Sequence, residues 1–125
     1  MKVLLDTHTL VWAISQPELL SPLALKVMEE NETLVSVVSL WELTLKKSKK
    51  DRLLDNPVPW WDLLIVGKGI QVLSIQARHI AAIDNLPDIH KDPFDRILLA
   101  QAIVEGATIL TRDRALALYG VPIVW

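Results

Sequence analysis

Four carboxylates sit at the ends of apolar runs: Asp6 after Val3-Leu4-Leu5, Glu42 after Leu34 to Val38, Asp95 opening Ile97-Leu98-Leu99-Ala100, and Asp113 after Ile109-Leu110-Thr111. If those runs belong to one parallel sheet, the carboxyl ends of its strands and the neighbouring helix starts share an edge, and the acids meet there. Two unit charges about 4 Å apart cost roughly 4 kcal/mol at an effective dielectric of about 20. Such a cluster therefore raises a pKa or binds a cation. Oxygen-only donors with open positions suit Mg²⁺ or Mn²⁺. The chemistry this predicts is metal-assisted attack on a phosphate ester, in which one ion lowers the pKa of a water and the same or a second ion stabilises the leaving oxygen. No nucleophilic side chain is required.

Each acid also has a local explanation. Asp6 suits the N-cap of the helix that follows it. Ser39-x-x-Glu42 reads as a capping box, with the glutamate reaching back to the Ser39 backbone N–H. Asp92-Pro93-Phe94-Asp95 reads as an N-cap, a proline at the first helical position and a first-turn acid. Asp113 suits the start of a last short helix. The coincidence of four helix starts, each following an apolar segment and each carrying a carboxylate, favours the shared pocket. Asp92 is an auxiliary acid in this reading. Of the hydroxyls near strand ends, Thr7, Ser36, Ser39 and Thr111, the last is the first choice for holding a water or ligand; local backbone bonds are the alternative for all four.

Other chemistries lack their residues. There is no cysteine, so neither a disulfide framework nor a thiolate zinc site exists. His8, His79 and His90 contain neither a close pair nor the H-E-x-x-H spacing, and His79, among Ile80, Ala81 and Ala82, reads as structural. No glycine-rich phosphate loop is present. Trp12, Trp41, Trp60, Trp61 and Trp125 read as core or interface, with stacking on a base the lesser alternative.

The elements that must position the acids alternate. Strands are expected at Lys2 to Leu5, Thr33 to Val38, Val72 to Ile75, Thr108 to Leu110 and, at an edge, Pro122 to Val124. Helices are expected from about Thr9 to Ile14, after Pro22 to Glu30, from Ser39 into the lysine run, from Trp60 to about Val66, from Ala77 to Ile83, from the Asp92-Pro93 start to Glu105, and near Arg114 to Leu118. Strands separated by helices predict βαβ crossovers, a parallel sheet and helices on both faces.

With 125 residues, 51% of them hydrophobic, and no long linker, the chain reads as one domain able to bury a core. The start of the chain lacks the apolar stretch and cleavage site of a secretion signal, and no stretch is apolar for long enough to cross a bilayer, so a cytoplasmic protein without a membrane partner is expected. The net charge of −2 hides an asymmetry. Residues 1 to 45 carry two lysines against six acids, whereas residues 46 to 52 read Lys-Lys-Ser-Lys-Lys-Asp-Arg. Those cations suit a helix C-terminus, or a strip that steers phosphates.

The ordered set Leu4-Leu5-Asp6-Thr7-His8-Thr9-Leu10-Val11-Trp12, Ser39-Leu40-Trp41-Glu42-Leu43, His90-Lys91-Asp92-Pro93-Phe94-Asp95-Arg96-Ile97-Leu98-Leu99-Ala100-Gln101-Ala102 and Leu110-Thr111-Arg112-Asp113 resembles PIN-domain proteins. More narrowly it resembles the VapC toxins of type II toxin–antitoxin systems, down to the closing Tyr119-Gly120-Val121-Pro122-Ile123-Val124-Trp125. The resemblance spans residues 2 to 125. It implies a three-layer α/β/α fold with a mainly parallel central sheet, Mg²⁺- or Mn²⁺-dependent endoribonuclease activity, a homodimer and a cognate VapB-type antitoxin. It places the metal-binding acids at Asp6, Glu42, Asp95 and Asp113 and the accompanying polar residue at Thr111. Phosphate contacts to RNA would then come from Lys46, Lys47, Lys49, Lys50, Arg52, Arg96 and Arg112. The competing expectations are a non-catalytic Mg²⁺-binding receiver-like domain and a phosphatase with an aspartyl nucleophile. The first wants paired acids after the first strand and a lysine after a late strand, and the second wants another aspartate beside Asp6.

Overall fold

The first strand, β1 (Lys2–Leu5), sets the architecture. Its three apolar residues are buried and point alternately, Leu4 into one core and Val3 and Leu5 into another, so both faces of the sheet must be covered. The structure is a computed structural model describing residues 1–89 and 91–125; His90, which heads the predicted run to Asp95, lies outside the described residues.

After β1 come α1 (Thr7–Ser15), a 3₁₀ turn (Pro17–Leu19), α2 (Pro22–Glu30), β2 (Glu32–Ser36) and α3 (Val37–Lys46). Next are α4 (Pro57–Trp61), continued by a π-helical turn (Asp62–Val66), then β3 (Val72–Leu73), α5 (Ala77–Ile83) and α6 (Pro93–Glu105). The chain closes with β4 (Ala107–Leu110), a 3₁₀ helix (Arg114–Tyr119) and β5 (Ile123–Val124). The described residues form a five-stranded, all-parallel sheet in the order β3-β2-β1-β4-β5. Helices cover both faces, giving the expected α/β/α layering. Leu4, Leu34 and Ile109 pack with Leu98 and Leu99 of α6 on one side. Val3, Leu5, Val35 and Leu110 pack with Leu10 of α1, Ala24 of α2 and Ile65 on the other.

Strand order locates the site. The chain steps outward from β1 to β2 and β3, then returns to lay β4 on the other side of β1. That reversal leaves a crevice between the carboxyl ends of β1 and β4, where open parallel sheets bind ligands. Leu5 pairs with Leu110 in register, and the Asp6 N–H donates to the Leu110 carbonyl at 3.3 Å, so Asp6 and Thr111 emerge side by side.

α6 supplies the other wall. Asp92 caps it, accepting from the Phe94 and Asp95 N–H groups at 2.9 and 3.2 Å, Pro93 takes the first position, and Gly106 ends it at φ 65°. Residues 97 to 102 are all buried, so the helix runs through the core rather than over it.

Several boundaries differ from the sequence expectation. β2 ends at Ser36, whose Oγ accepts from the Val38 N–H at 3.0 Å and caps α3. Val37 and Val38 enter the helix, because a good N-cap outweighs the small helical cost of β-branching. Ser39 therefore lies inside the first turn, and the predicted Ser39–Glu42 capping box does not form. α4 starts at Pro57, not Trp60, since proline favours the first helical turn. β3 and β5 span two residues each, and short edge strands limit pairing with other chains.

Candidate active site

Asp6 stands at the centre of the crevice. Its Oδ1 accepts from the Thr9 N–H at 2.9 Å and so caps α1, while its Oδ2 accepts from the Thr111 hydroxyl at 2.5 Å. The cap explanation therefore holds for Oδ1, while Oδ2 ties Asp6 to the residue that follows β4. Thr111 is 1% exposed, and its Oγ1 also accepts from the Asp113 N–H at 3.0 Å. Asp113 in turn caps the following 3₁₀ helix through the Ala115 N–H at 3.0 Å. One hydroxyl thus ties together the acids that follow β1 and β4.

Glu42 reaches the crevice from the second turn of α3 and is 7% exposed. Its Oε1 lies 2.6 Å from Thr7 Oγ1, and its Oε2 lies 2.6 Å from Lys46 Nζ. Thr7 Oγ1 is also 3.1 Å from Ser39 Oγ. A hydroxyl has one proton, and the carboxylate is the stronger acceptor, so Thr7 donates to Glu42 and Ser39 donates to Thr7. That is the role of Ser39 in place of the predicted cap.

Asp6, Glu42, Asp92, Asp95 and Asp113 all line one cavity of about 250 Å³, together with Thr7, His8 and Trp12. All four predicted acids and the auxiliary one are therefore brought together. Thr111 stands behind Asp6 rather than in the lining, and Ser36 is elsewhere, bonded to Gln101 Oε1 at 2.5 Å. His8 does approach the pocket, its ring edge-on to Trp12 with centroids 5.7 Å apart. His79 is a fully buried structural residue: Nδ1 accepts from the Gln76 N–H at 3.0 Å, which leaves Nε2 to donate to Glu105 at 3.0 Å.

Two cations share the cavity with the five acids, Lys46 and Arg112. Burial pulls the Lys46 pKa down, but its bond to Glu42 and the charges of Glu42, Asp92 and Asp95 more than reverse this and hold it above its usual value. The ammonium also lies 5.7 Å from the centre of the Phe94 ring. The other predicted phosphate contacts stand outside this cavity. Lys47, Lys49 and Lys50 are exposed beyond α3, Arg52 pairs with Asp55 at 2.6 Å, and Arg96 donates to the Pro87 carbonyl at 3.0 Å. A smaller adjoining hollow shares Glu42 and Lys46 and runs to Asp51 and Leu53, with Lys46 the one lysine or arginine among its described lining residues.

Among the described residues, no three acids or histidines converge tightly enough to form a ready-made metal cage. The hydrogen bonds explain why: Glu42 is turned to Thr7 and Lys46, and Asp6 to Thr111 and Thr9. The donor set still fits a hard divalent ion, because it is all oxygen and surrounds an open space that leaves room for the waters Mg²⁺ retains. The i to i+4 spacing of Glu42 and Lys46 was the sequence signal for the ion pair. The Thr7–Glu42 bond, across 35 positions, had none.

The PIN domain model matches residues 3–121. The chain belongs to the PIN-domain family. Within it, this PIN domain is 32% identical over 116 residues to Ribonuclease VapC22 of Mycobacterium tuberculosis, covering 91% of this chain and 88% of that one, which places it among the VapC proteins. The fold is similar to VapBC2 of Rickettsia felis bound to a promoter DNA fragment, with a TM-score of 0.75 at 18% identity, over 100% of this chain and 99% of the other. It is also similar to DNA-bound VapBC of Salmonella typhimurium, with a TM-score of 0.69 at 18% identity over 99% and 97% of the two chains. FitAcB of Neisseria gonorrhoeae matches with a TM-score of 0.65 at 19% identity, over 98% and 96%. No helix among the described residues is long and apolar enough to cross a membrane.

Proposed function

We propose that this PIN domain, a single domain over residues 1–125, is a Mg²⁺-dependent endoribonuclease, with Mn²⁺ an alternative ion, and the toxin of a VapBC-type toxin–antitoxin pair. Its partners in this reading are an RNA substrate, a cognate VapB-type antitoxin and a second copy of itself, in the cytoplasm. The observation that carries it is the meeting of Asp6, Glu42, Asp95 and Asp113 on one cavity at the reversal point of the sheet. The named activity of the M. tuberculosis relative supports it.

Asp6, Glu42, Asp95 and Asp113 are the residues that would hold the ion, with Asp92 as an auxiliary acid. A bound divalent ion lowers the pKa of water and offsets charge at the phosphate, which is what hydrolysis of a phosphodiester needs. The chain itself does the positioning. Thr111 fixes Asp6 Oδ2 and the Asp113 backbone, and Thr7 fixes Glu42 Oε1. Lys46 and Arg112 face the cavity and offer positive charge to the phosphate, while Lys47, Lys49, Lys50, Arg52 and Arg96 would act farther along the strand. A receiver-like domain finds no support here, because the lysine in the cavity comes from α3 and not from the end of a late strand.

Purified protein incubated with total cellular RNA tests the reading. Cuts that appear with Mg²⁺ or Mn²⁺ and vanish with EDTA are expected; cutting that is indifferent to EDTA removes the metal from the mechanism. RNA affinity should fall with salt, with a slope that counts the phosphates contacted, and a salt-independent affinity would remove the basic residues from it.

A further inference from the structure

Gln101 is the one polar residue in the buried run 97 to 102 of α6, and it is 0% exposed. Glutamine is seldom fully buried, because its amide must give up water at both ends. A leucine would fill the position without that cost, so what the amide adds is the bonds it makes. Its Oε1 accepts from the Ser36 hydroxyl at 2.5 Å, and its Nε2 donates to the Ser74 carbonyl at 3.2 Å. A carbonyl can only accept, which fixes the amide with its oxygen toward Ser36. Ser36, also 0% exposed, spends its single proton on Gln101 while its Oγ accepts from the Val38 N–H at 3.0 Å.

These bonds grip two neighbouring strand ends. Ser36 closes β2, Ser74 follows β3, and Ser36 pairs with Leu73 in register, so one amide from α6 holds the carboxyl edge of both strands. Ser36 is also the cap that starts α3. Glu42 stands six residues beyond that cap, and Asp95 stands six residues before Gln101. At about 1.5 Å of rise per residue, each acid lies roughly 9 Å along its helix from the Ser36–Gln101 bond. Both acids line the acidic cavity, whereas neither Ser36 nor Gln101 does. The bond is thus a direct link between the helix that carries Glu42 and the helix that carries Asp95. Apolar contact also joins them, Val38 sharing a core cluster with Leu98 and Leu99, but such contact is non-directional and tolerates a small slide. A short hydrogen bond does not, and Mg²⁺ demands near-ideal placement of its ligands.

We propose that Gln101 is a positioning residue for the acidic cavity: by holding Ser36 it fixes α3 against α6, and with them the spacing of Glu42 and Asp95. This rests on the metal-dependent ribonuclease reading above and deepens it, since it extends the machinery to a buried pair that never touches metal or RNA. Gln101 and Ser36 act only through the two acids, so losing their bond weakens metal binding rather than removing a ligand.

The test is Mn²⁺ affinity by calorimetry, well below the melting temperature, with cleavage of total RNA across a Mg²⁺ series on the same proteins. Gln101→Met keeps the length of the side chain and removes both its bonds. Ser36→Ala leaves the Ser74 bond in place, so a loss common to the two variants belongs to the Ser36–Gln101 bond. Each should lower Mn²⁺ affinity by about tenfold, the low end of the loss when a group behind a metal ligand is removed, and raise the Mg²⁺ needed for half-maximal cutting to match. The double variant Ser36→Ala/Gln101→Met should be no weaker than either single one, because both act through one bond. Ser36→Thr keeps the hydroxyl and should stay near wild type. Should Gln101→Met fail to fold, Ser36→Ala and Ser36→Thr decide the matter. Folded variants that bind Mn²⁺ like wild type, whatever their melting temperatures, overturn the positioning role, and the nuclease reading stands if wild type cuts RNA. If wild type binds Mn²⁺ and the variants lose that affinity but no protein cuts RNA, the positioning role stands and the nuclease reading fails. If wild type binds no Mn²⁺, both fail.

Discussion

Thr111 Oγ1 donates to Asp6 Oδ2 at 2.5 Å across 105 positions of sequence, and this one bond joins the residues that follow the neighbouring strands β1 and β4, behind the acidic cavity. Removing the hydroxyl frees Asp6 to rotate and strips the Asp113 N–H of its acceptor. Thr111→Val should therefore cut RNA at least tenfold more slowly while Thr111→Ser stays near wild type. The loss of a buried bond to a charged group should also cost about 1–3 kcal/mol in urea unfolding. Equal rates for the two variants would show that Asp6 needs no such support.

Lys46 is bonded to Glu42 Oε2 at 2.6 Å, so its ammonium would compete with a metal ion for that oxygen. Its side chain is 42% exposed, so solvent screens the pair and its worth is modest. Lys46→Met should raise Mn²⁺ affinity, measured by calorimetry, by roughly 5- to 10-fold, or about 1 kcal/mol. Unchanged or weaker affinity would mean that Lys46 does not compete for Glu42.

Glu105 tests the electrostatics away from the cavity. The hydrogen bond from His79 holds its pKa down, burial opposes this, and the charge of Arg78, 2.8 Å away, adds to the lowering. A carboxylate with a lowered folded pKa stabilises the fold above its unfolded pKa, about 4.3, and loses that contribution as pH falls through the folded value. The melting advantage of wild type over Glu105→Gln should therefore be full at neutral pH and shrink below about pH 4. An advantage that grew on acidification would reverse the sign of the account.

Thr9 is fully buried, and its Oγ1 has no hydrogen-bond partner among the described residues. An unpaired buried hydroxyl costs roughly 1–3 kcal/mol, so Thr9→Val should raise stability or leave it unchanged, despite the loss of a polar atom. A clear fall in melting temperature would contradict this.

The acids were legible in the sequence because each follows a short apolar run, and strand order then had only one edge on which to gather them. Asp92-Pro93 and Gly106 marked α6 to the residue, since capping is local chemistry. What escaped was set by contacts distant in sequence. Ser39 looked like a cap because the pattern around Glu42 fits a capping box, whereas the cap used is Ser36, three residues earlier, which draws Val38 into the helix and into the core cluster that α6 shares. The pairing of Thr7 with Glu42, and the approach of Trp125 to Trp12, depend on how α3 and β5 sit beside β1 and α1. No local pattern encodes either.

The central claim is that carboxylates in this cavity drive RNA hydrolysis, and Asp6→Asn tests it most directly. Asparagine keeps one oxygen to accept from the Thr9 N–H, and its amide N–H can donate to Thr111 Oγ1 in place of the bond Thr111 now donates, while the charge is removed, so circular dichroism should match wild type and the protein should stay folded. Metal-dependent cleavage of total RNA should fall by at least a hundredfold. A folded Asp6→Asn protein that cuts RNA at the wild-type rate would contradict the account.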